Sequence, residues 1–294
     1  MSRRIAVIGG DARYLELIKI LKSNHANEVI LCGFDKLEQG FTGLNESALD
    51  ELDQSKLDVV VLPITGTDSK GNVETVFTDK KIHLDEAWFQ KLHAGCTIFT
   101  GMTNAYLTSM AEKAGVTLVP LLDRDDVAIY NSIPTAEGAI MMAFEHTDQT
   151  VHSSRVMVVG FGRVGNTVAN KFSALGAKVS VCARSIRDLA RITEMGLQAV
   201  PLHELSNHTE NCDILINTIP SLVVTKEAIQ NLPTNAVIID LASKPGGTDF
   251  DFAKKRGIQA ILARSLPGIV APRTAGKILA NVMEQILEEE RASE

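Results

Sequence analysis

The sequence predicts an α/β fold: two Rossmann-like three-layer domains with a cleft between them, and a C-terminal helix that crosses back to the first domain. Short apolar runs alternate with helical segments along the chain, as in parallel sheets that are covered by helices. An apolar run at 155–159 leads directly into glycines with the spacing G-x-G-x-x-G. A length of 294 residues also suits two domains that each bury a core.

The first part of the chain is predicted to form one α/β domain, which we place at residues 1–133 on the substrate side. Its apolar runs are short and are separated by helical patterns and turns, which is typical of a parallel sheet. The strands are expected at 4–9, 29–34, 59–63, 97–100 and 116–120, and the helices at 12–22 and 103–114.

A connecting helix, a second α/β domain and a last helix are predicted for the rest of the chain. We place the connection at 134–150, with its helix at 134–146, the Rossmann domain that contains the spaced glycines at 151–272 and the C-terminal helix at 273–294. Apolar residues at helical spacing predict the last helix, and by analogy with other two-domain α/β proteins we expect it to pack on the first domain. The remaining strands are expected at 155–159, 178–185, 214–218, 237–241 and 260–262, and the helices at 166–175 and 275–289.

The three spaced glycines indicate a dinucleotide site, because each has a separate role in such a motif. Gly160 makes the tight turn, Gly162 lets the backbone approach a pyrophosphate, and Gly165 lets helix and strand pack closely. The start of the following helix offers N–H groups and a positive dipole end to phosphates, which adds Arg163 and Val164 to the expected contacts. A glycine-rich turn without a ligand is the alternative.

The end of the next strand favours NADP over NAD. An NAD enzyme usually carries Asp or Glu about twenty residues after the glycines, where it binds the ribose 2′-hydroxyl. Here Ala183, Arg184 and Ser185 occupy that position, and Arg187 follows. A guanidinium and a hydroxyl suit a 2′-phosphate, which a carboxylate would repel. The alternative for Arg184 is a solvated surface side chain.

Two later loops are predicted to complete the cofactor site. Thr218, Ile219, Pro220 and Ser221 end a central strand, in a loop that commonly runs beside the adenosine and the nicotinamide ribose. Ala242 follows the next strand and is expected to lie along the same ligand. Ligands of open α/β sheets gather at these carboxyl ends of strands.

Long and unusual segments spread along the chain carry a resemblance to one family. They include Ile-Ala-Val-Ile-Gly-Gly-Asp-Ala-Arg at 5–13 and Asp-Leu-Ala-Ser-Lys-Pro-Gly-Gly-Thr-Asp at 240–249. The other segments are 124–126, 129–135, 183–185, 190–197, 216–221 and 266–276. In these segments the chain resembles the family of dipicolinate synthase A subunits.

The resemblance implies an oxidoreductase that works with a partner. Members of the family, together with the flavoprotein-like B subunit of dipicolinate synthase, convert dihydrodipicolinate to dipicolinate, the calcium-chelating diacid of bacterial endospores. The implied reaction transfers a hydride from the dihydropyridine ring to NADP with loss of a proton. Because aromatisation supplies driving force, a strongly tuned acid–base pair is not required.

A planar diacid calls for guanidinium groups, hydroxyls and helix N-termini, and the chain offers them after several strands. The expected substrate contacts are Arg13, Thr65, Thr103, Asn104, Ser132, Thr135, Pro267 and Gly268. The candidates for catalysis are Asn131, Ser132 and Lys244.

Structural roles are the alternative for these residues. Asp11 would cap a helix beside a surface Arg13, and Thr103 or Asn104 would cap the helix that follows. Ser132 or Thr135 would likewise cap the connecting helix, or the same helix N-terminus would point at the substrate. Pro267 and Gly268 would simply shape a loop before the last helix.

The composition predicts a cytoplasmic protein. An excess of 36 acidic over 29 basic residues, net charge −7, argues against a general nucleic-acid binder. Four widely spaced cysteines without a C-x-x-C pair indicate buried thiols in a reducing compartment. We expect no signal peptide, no bilayer span and no metal site, and the composition is compatible with a homo-oligomer.

Two other functions are weighed against this one. A hydroxyacid dehydrogenase needs an acid–base histidine, commonly late in the chain, and the last histidine here is His208. A shikimate-type dehydrogenase needs a Lys–Asp pair, and Lys70 and Lys80 lack the expected strand-end setting. An NADP-binding regulatory protein without chemistry of its own is the alternative from another class.

Overall fold

Two six-stranded parallel sheets with covering helices dominate the computed structural model, which describes residues 2–37 and 44–293. The strands are β1 (Arg3–Ile8), β2 (Asn27–Cys32), β3 (Asn45–Glu46), β4 (Val59–Val61), β5 (Asn72–Val73), β6 (Ile82–His83), β7 (Thr97–Thr100), β8 (Thr117–Pro120), β9 (Arg155–Val159), β10 (Lys178–Ala183), β11 (Gln198–Pro201), β12 (Ile214–Asn217), β13 (Val237–Asp240) and β14 (Gln259–Leu262). The α-helices are α1 (Ala12–Ser23), α2 (Glu86–Phe89), α3 (Ala105–Ala114), α4 (Asp125–His146), α5 (Arg163–Ala174), α6 (Ile186–Glu194), α7 (Lys226–Gln230), α8 (Phe250–Arg256), α9 (Leu266–Val270) and α10 (Pro272–Ser293). Short 3₁₀ helices lie at Leu49–Glu51, Gln54–Lys56, Leu121–Asp123 and Leu202–His208.

The chain divides into two compact units. The first comprises residues 1–128 and 272–294, and the second comprises residues 129–271. The first unit therefore takes α10 from the far end of the sequence, which confirms the expected return of the C-terminal helix. The limits given above for separate domains stay a prediction.

The first unit is a three-layer arrangement around the sheet β3-β2-β1-β4-β7-β8, in which neighbouring strands run parallel. Strand β1 is buried on both faces, so its residues alternate between two cores. Ile5 and Val7 pack in a core with α1 and α10, whereas Ala6 and Ile8 pack in a core with α2 and α3. Nearly continuous apolar strands are typical of sheets with helices on both faces.

The second unit has the same architecture, with the parallel sheet β11-β10-β9-β12-β13-β14. Val156 and Val158 face a core shared with α4 and α5, and Met157 and Val159 face a core shared with α7 and α8. The predicted class, α/β with two Rossmann-like units, is confirmed.

In each sheet the order of successive strands changes direction beside the first strand of the unit, which is a topological switch point. In the first unit the reversal lies between β1 and β4, and in the second it lies between β9 and β12. Ligands of open α/β sheets bind outside the carboxyl ends of the strands at such a point. The loops that follow these four strands therefore hold the candidate sites.

Helix α4 begins well before residue 134, so the expected helix start was wrong. Pro134 lies inside the helix, although an interior proline costs about 3 kcal/mol. The helix persists because residues on both sides of the proline are buried: Val127 packs in the core of the first unit and Ala136 in the core of the second. Sequence rules favour proline in the first helical turn, and tertiary packing overrides them here.

No helix within residues 2–37 and 44–293 is long and apolar enough to span a membrane.

Gly276→Ala is expected to lower the free energy of unfolding, although alanine is the better helix former. A Cβ at this position of α10 would lie 2.0 Å from the carbonyl oxygen of Arg13 in α1. Helix propensity alone would raise stability by about 1 kcal/mol, so the sign of the change separates the two effects. Urea unfolding measures it, with Lys277→Ala at the exposed neighbouring position as the control. A raised unfolding midpoint for Gly276→Ala would contradict the close packing.

Candidate functional site

Each of the three glycines in the turn between β9 and α5 has a different geometry. Gly160 has a φ of +103°, which L side chains rarely adopt, and a Cβ there would lie 2.4 Å from the Thr218 Oγ1. A Cβ on Gly165 would lie 2.1 Å from the carbonyl oxygen of Gly160. A Cβ on Gly162 would meet nothing within 4 Å. Two glycines thus serve internal packing, and the third borders open space.

The start of α5 suits an anion. Gly162 is the N-cap, no side chain caps the helix, and its first turn carries no acidic residue. The first N–H groups of an α-helix have no partner within the helix, and the dipole makes this end positive. The backbone at Arg163, Val164 and Gly165 therefore forms a positive helix start beside the open space at Gly162.

The end of β10 presents cationic side chains. The strand ends at Ala183, so Arg184 and Ser185 follow it in the turn. Arg184 is exposed and makes no hydrogen bond or ion pair within the described part of the chain. Ser185 caps α6 by accepting a hydrogen bond from the Asp188 amide at 3.0 Å, which leaves its hydroxyl hydrogen for another acceptor. Arg187 is almost fully exposed, 3.5 Å from the Asp188 carboxylate.

Asn217, the last residue of β12, organises the loop after this strand by hydrogen bonds that the sequence did not reveal. Its side chain is fully buried, donates from Nδ2 to the Ile219 carbonyl at 3.0 Å and accepts from the Ile219 amide at 3.1 Å. Thr218 Oγ1 donates to the Val159 carbonyl at 2.9 Å, which ties the loop to β9. Pro220 and Ser221 are exposed. The signal for Asn217 was a polar residue that ends an apolar strand.

Asp240 has the same role after β13 and was also missed as a site residue. It is fully buried, and its carboxylate accepts from the Ala242 amide at 3.0 Å, the Gly247 amide at 2.9 Å and the Thr248 hydroxyl at 2.6 Å. These bonds organise the loop that carries Lys244, whose side chain is exposed. The Ala242 amide is therefore committed to the protein.

The candidates in α4 lie in the middle of a helix, so the expectation that Ser132 or Thr135 starts a helix was wrong. Ser132 is 1% exposed, and its Oγ lies 2.7 Å from the Thr167 Oγ1 in α5. Thr135 Oγ1 donates to the Asn131 carbonyl at 2.7 Å. The Asn131 Oδ1 is buried without a hydrogen-bond partner among the described residues. Asn131 is thus the member of this group with an unsatisfied polar atom.

Pro267 and Gly268 lie within the short helix α9, not in an open loop before the last helix. The Gly268 amide donates to the Ser265 carbonyl at 2.9 Å. Leu266 packs against Gly138 of α4, where a Cβ would lie 2.9 Å from the Leu266 Cβ. This contact holds α9 against α4, and the expected substrate contacts of Pro267 and Gly268 stay a prediction.

In the first unit, Arg13 is held by Asp11. The Arg13 Nε donates to the Asp11 carboxylate at 2.9 and 3.1 Å, and Nη2 donates to the same group. The Arg13 side chain is 12% exposed, and Asp11 also caps α1 through the Arg13 amide. The alternative of a surface arginine does not describe this guanidinium, because it is mostly buried and oriented by a carboxylate.

The other candidates of the first unit are largely engaged within the protein. Asn104 caps α3 through the Leu107 amide and donates to the Thr67 carbonyl. Thr103 Oγ1 lies 2.9 Å from the Thr108 Oγ1. Thr65 is exposed, whereas Thr67 is buried and its Oγ1 lacks a partner among the described residues.

The cysteines are buried thiols, as expected. Burial raises the pKa of Cys96, Cys182 and Cys212 to about 12. Thiols with such pKa values are weak nucleophiles near neutral pH.

Two family models match the chain. Residues 4–122 match the N-terminal domain of the dipicolinate synthase A subunit, and residues 127–293 match the alanine dehydrogenase/PNT C-terminal domain. The crystal structure of a transhydrogenase from Sinorhizobium meliloti is 16% identical, covers 97% of this chain and 94% of its own, and has a TM-score of 0.71, which is a likeness of fold alone.

Proteins that are much more similar to this chain are all described as dipicolinate synthase A subunits. The chain is 51% identical to the dipicolinate synthase A subunit of Bacillus subtilis (strain 168) over 99% of its own length and 98% of that protein. A crystal structure of dipicolinate synthase, A chain, from Bacillus subtilis is 50% identical, covers 100% of this chain and 98% of its own, and has a TM-score of 0.94. The structure of the A subunit from Bacillus halodurans is 49% identical, covers 97% of each chain and has a TM-score of 0.93. With this identity over nearly all of both sequences, the chain belongs to the family of dipicolinate synthase A subunits.

Proposed function

We propose that this chain is the NADP-dependent dehydrogenase component that oxidises dihydrodipicolinate to dipicolinate, acting in the cytoplasm with a flavoprotein-like B subunit. The observation that carries the proposal is the turn after β9, in which Gly162 borders open space at the start of α5. Family membership supports the substrate, because the relatives bear the name dipicolinate synthase.

The residues at this turn fit a nicotinamide dinucleotide. The open space at Gly162 would admit the pyrophosphate, and the amides at the start of α5 would bind its oxygens. When bound, NADP would accept the hydride that leaves the dihydropyridine ring. The chain binds and orients both ligands, and a proton leaves as the ring becomes aromatic.

Arg184 and Ser185 support NADP in preference to NAD. The guanidinium of Arg184 is exposed and unpaired within the described residues, and Ser185 keeps a hydroxyl hydrogen to donate. The nearest carboxylate along the chain, that of Asp188, lies beside Arg187. A 2′-phosphate at this turn would meet a net excess of positive charge.

Arg13 is the leading candidate to bind a carboxylate of the substrate. A guanidinium has five N–H donors, and Asp11 occupies only those on its Nε and Nη2 side. The Asp11 carboxylate thereby fixes the orientation of the fork, which lowers the entropic cost of binding an anion. Thr65 and Thr103 would add hydroxyls, whereas Asn104 is largely committed to capping α3.

Few groups of the chain are candidates for the proton acceptor. The Ser132 hydroxyl is buried and bonded to Thr167, and an amide such as Asn131 does not act as a base. Asn131 would instead accept a hydrogen bond through its unsatisfied Oδ1. Lys244, exposed in the loop organised by Asp240, remains the side-chain candidate, with water as the other acceptor.

The hydroxyacid dehydrogenase alternative gains no support. The last histidine, His208, belongs to the 3₁₀ helix Leu202–His208 and lies 3.7 Å from the Glu204 carboxylate. It borders a cavity with Arg155, the first residue of β9, and so lies at the opposite end of the sheet from the glycine turn.

Gly162→Ala is expected to weaken NADP binding, whereas Gly165→Ala is expected to lower the stability of the fold. Alanine at 162 fits the empty space, so folding should change by no more than about 1 kcal/mol, while NADP binding weakens because a methyl group enters the phosphate position. Alanine at 165 meets the Gly160 carbonyl and should lower the free energy of unfolding itself. Urea unfolding and NADPH fluorescence titration separate the two effects, and equal behaviour of the variants would contradict the assigned roles.

Arg184→Asp is expected to shift the ratio of NADPH to NADH affinity by at least about tenfold towards NADH. A carboxylate repels the 2′-phosphate and accepts a hydrogen bond from a free 2′-hydroxyl. Fluorescence titrations with both nucleotides measure the ratio. Arg191→Asp is the control, because Arg191 is paired with Glu194 within α6. An unchanged ratio in Arg184→Asp would refute the 2′-phosphate role.

Mixing the purified chain and the B subunit with dihydrodipicolinate and NADP tests the reaction. NADPH absorbance should appear with both proteins present, and assays of either protein alone identify where the chemistry resides. Unchanged activity when NADP binding to the chain is weakened, as in Gly162→Ala under limiting NADP, would indicate a regulatory role. Absence of NADPH under every condition would overturn the dehydrogenase assignment.

A further inference from the structure

A polar cavity of about 340 Å³ lies at the amino-terminal edge of the sheet in the second unit. It is bordered by Arg155 and Lys178, the first residues of β9 and β10. Gly160 follows the other end of β9, so the cavity is separated from the proposed nucleotide site by the length of a strand. None of the residues assigned above to NADP borders it.

The cavity exists because one crossover of the unit is short. Between β11 and β12 the chain forms the 3₁₀ helix Leu202–His208, where the arrangement elsewhere in the sheet places α-helices. A 3₁₀ helix of this length packs only one buried residue, Leu205, onto the sheet. The amino ends of β9, β10 and β11 on this face therefore border the cavity.

Beside the apolar Val156 and Met157, several strand residues at this place are polar, although a parallel sheet covered on both faces is normally apolar. Lys178 lies opposite Arg155 in the strand register, and Ser180 lies opposite both Met157 and Gln198. Ser180 Oγ donates to the Gln198 Oε1 at 2.8 Å, which leaves the amide nitrogen of Gln198 as a donor. The Gln198 amide nitrogen thus borders the same cavity as the two cations.

Both cations are exposed to solvent, and neither forms an ion pair within the described residues. Like charges directly opposite each other on neighbouring strands destabilise a sheet. The nearby carboxylate of Asp213 accepts a hydrogen bond from the backbone amide of Arg155 at 2.7 Å. Glu210 borders the cavity without forming an ion pair with either cation. An anion that bridges Arg155 and Lys178 would remove the repulsion between them.

We propose that this cavity binds a small dianion, a dicarboxylate or inorganic phosphate, between Arg155 and Lys178. A guanidinium offers paired N–H donors to one acidic group, and an ammonium offers a compact charge to another. The amide side chains of Gln198 and Asn211 supply further donors at the border. The proposal depends on this cavity alone and does not require the proposed reaction.

Isothermal titration calorimetry tests the site with two probes, inorganic phosphate and pyridine-2,6-dicarboxylate, in buffer free of divalent cations. Arg155→Gln/Lys178→Gln should weaken binding of at least one probe by about tenfold or more, since charge-assisted hydrogen bonds are lost. Lys254→Gln/Lys255→Gln, with the same charge change on α8, is the matched control and should bind within about twofold of the wild type.

A probe that binds elsewhere, for example at the nucleotide turn, keeps its affinity in the double variant. The cavity is therefore identified by the binding event that the double variant loses. If the double variant loses affinity for one of the two probes, that probe is the kind of anion that the cavity binds. If the double variant unfolds, Lys178→Gln alone is used and should still weaken that component severalfold. Equal affinity of both probes for wild type and variant, or no binding at millimolar concentrations, would overturn the proposal.

Discussion

The contact between the start of α5 and the turn after β9 is the constraint on which the proposed nucleotide-binding turn depends. A Cβ at Gly165 would lie 2.1 Å from the Gly160 carbonyl oxygen, so only glycine lets the helix begin this close to the strand. Thr218 completes the contact from β12 by donating to the Val159 carbonyl. Because the helix starts so close, its positive end lies beside the open space at Gly162, outside the carboxyl ends of the strands.

The first unit has the same strand order but a different turn after its first strand, because the N-cap of α1 is Asp11 where that of α5 is Gly162. A Cβ at Gly10 would lie 2.5 Å from the Tyr14 ring, and one at Gly9 would lie 3.0 Å from the Val73 side chain. Burial raises the pKa of Tyr14, whose hydroxyl donates to the Leu62 carbonyl at 2.7 Å. The Asp11 carboxylate at this N-cap would repel a pyrophosphate, and its bonds to Arg13 suit the proposed role of this unit in binding a small substrate. Equal topology therefore does not imply an equal ligand.

The strands and the nucleotide turn could be predicted because their signals are local. Apolar runs mark strands that are buried on both faces, and the spacing of the glycines states which backbone positions must lack a Cβ. The roles of Asn217 and Asp240 could not be predicted in the same way. Each accepts or donates hydrogen bonds within a loop whose path depends on the neighbouring strands, although a polar residue ending an apolar strand was an available signal.

Helix α4 shows the limit of local rules most clearly. Pro134 and the hydroxyls beside it satisfy the rules for a helix start, yet Ser132 lies in mid-helix and is bonded to Thr167 of α5. The sequence by itself determined the α/β class, the cores of the strands and the glycine turn, because these depend on periodicity and on backbone conformation. Only the tertiary structure decided the start of α4, the orientation of Arg13 by Asp11 and the exposed cations at Arg155 and Lys178. Those features depend on burial and on charges brought together by strand pairing, which no local pattern records.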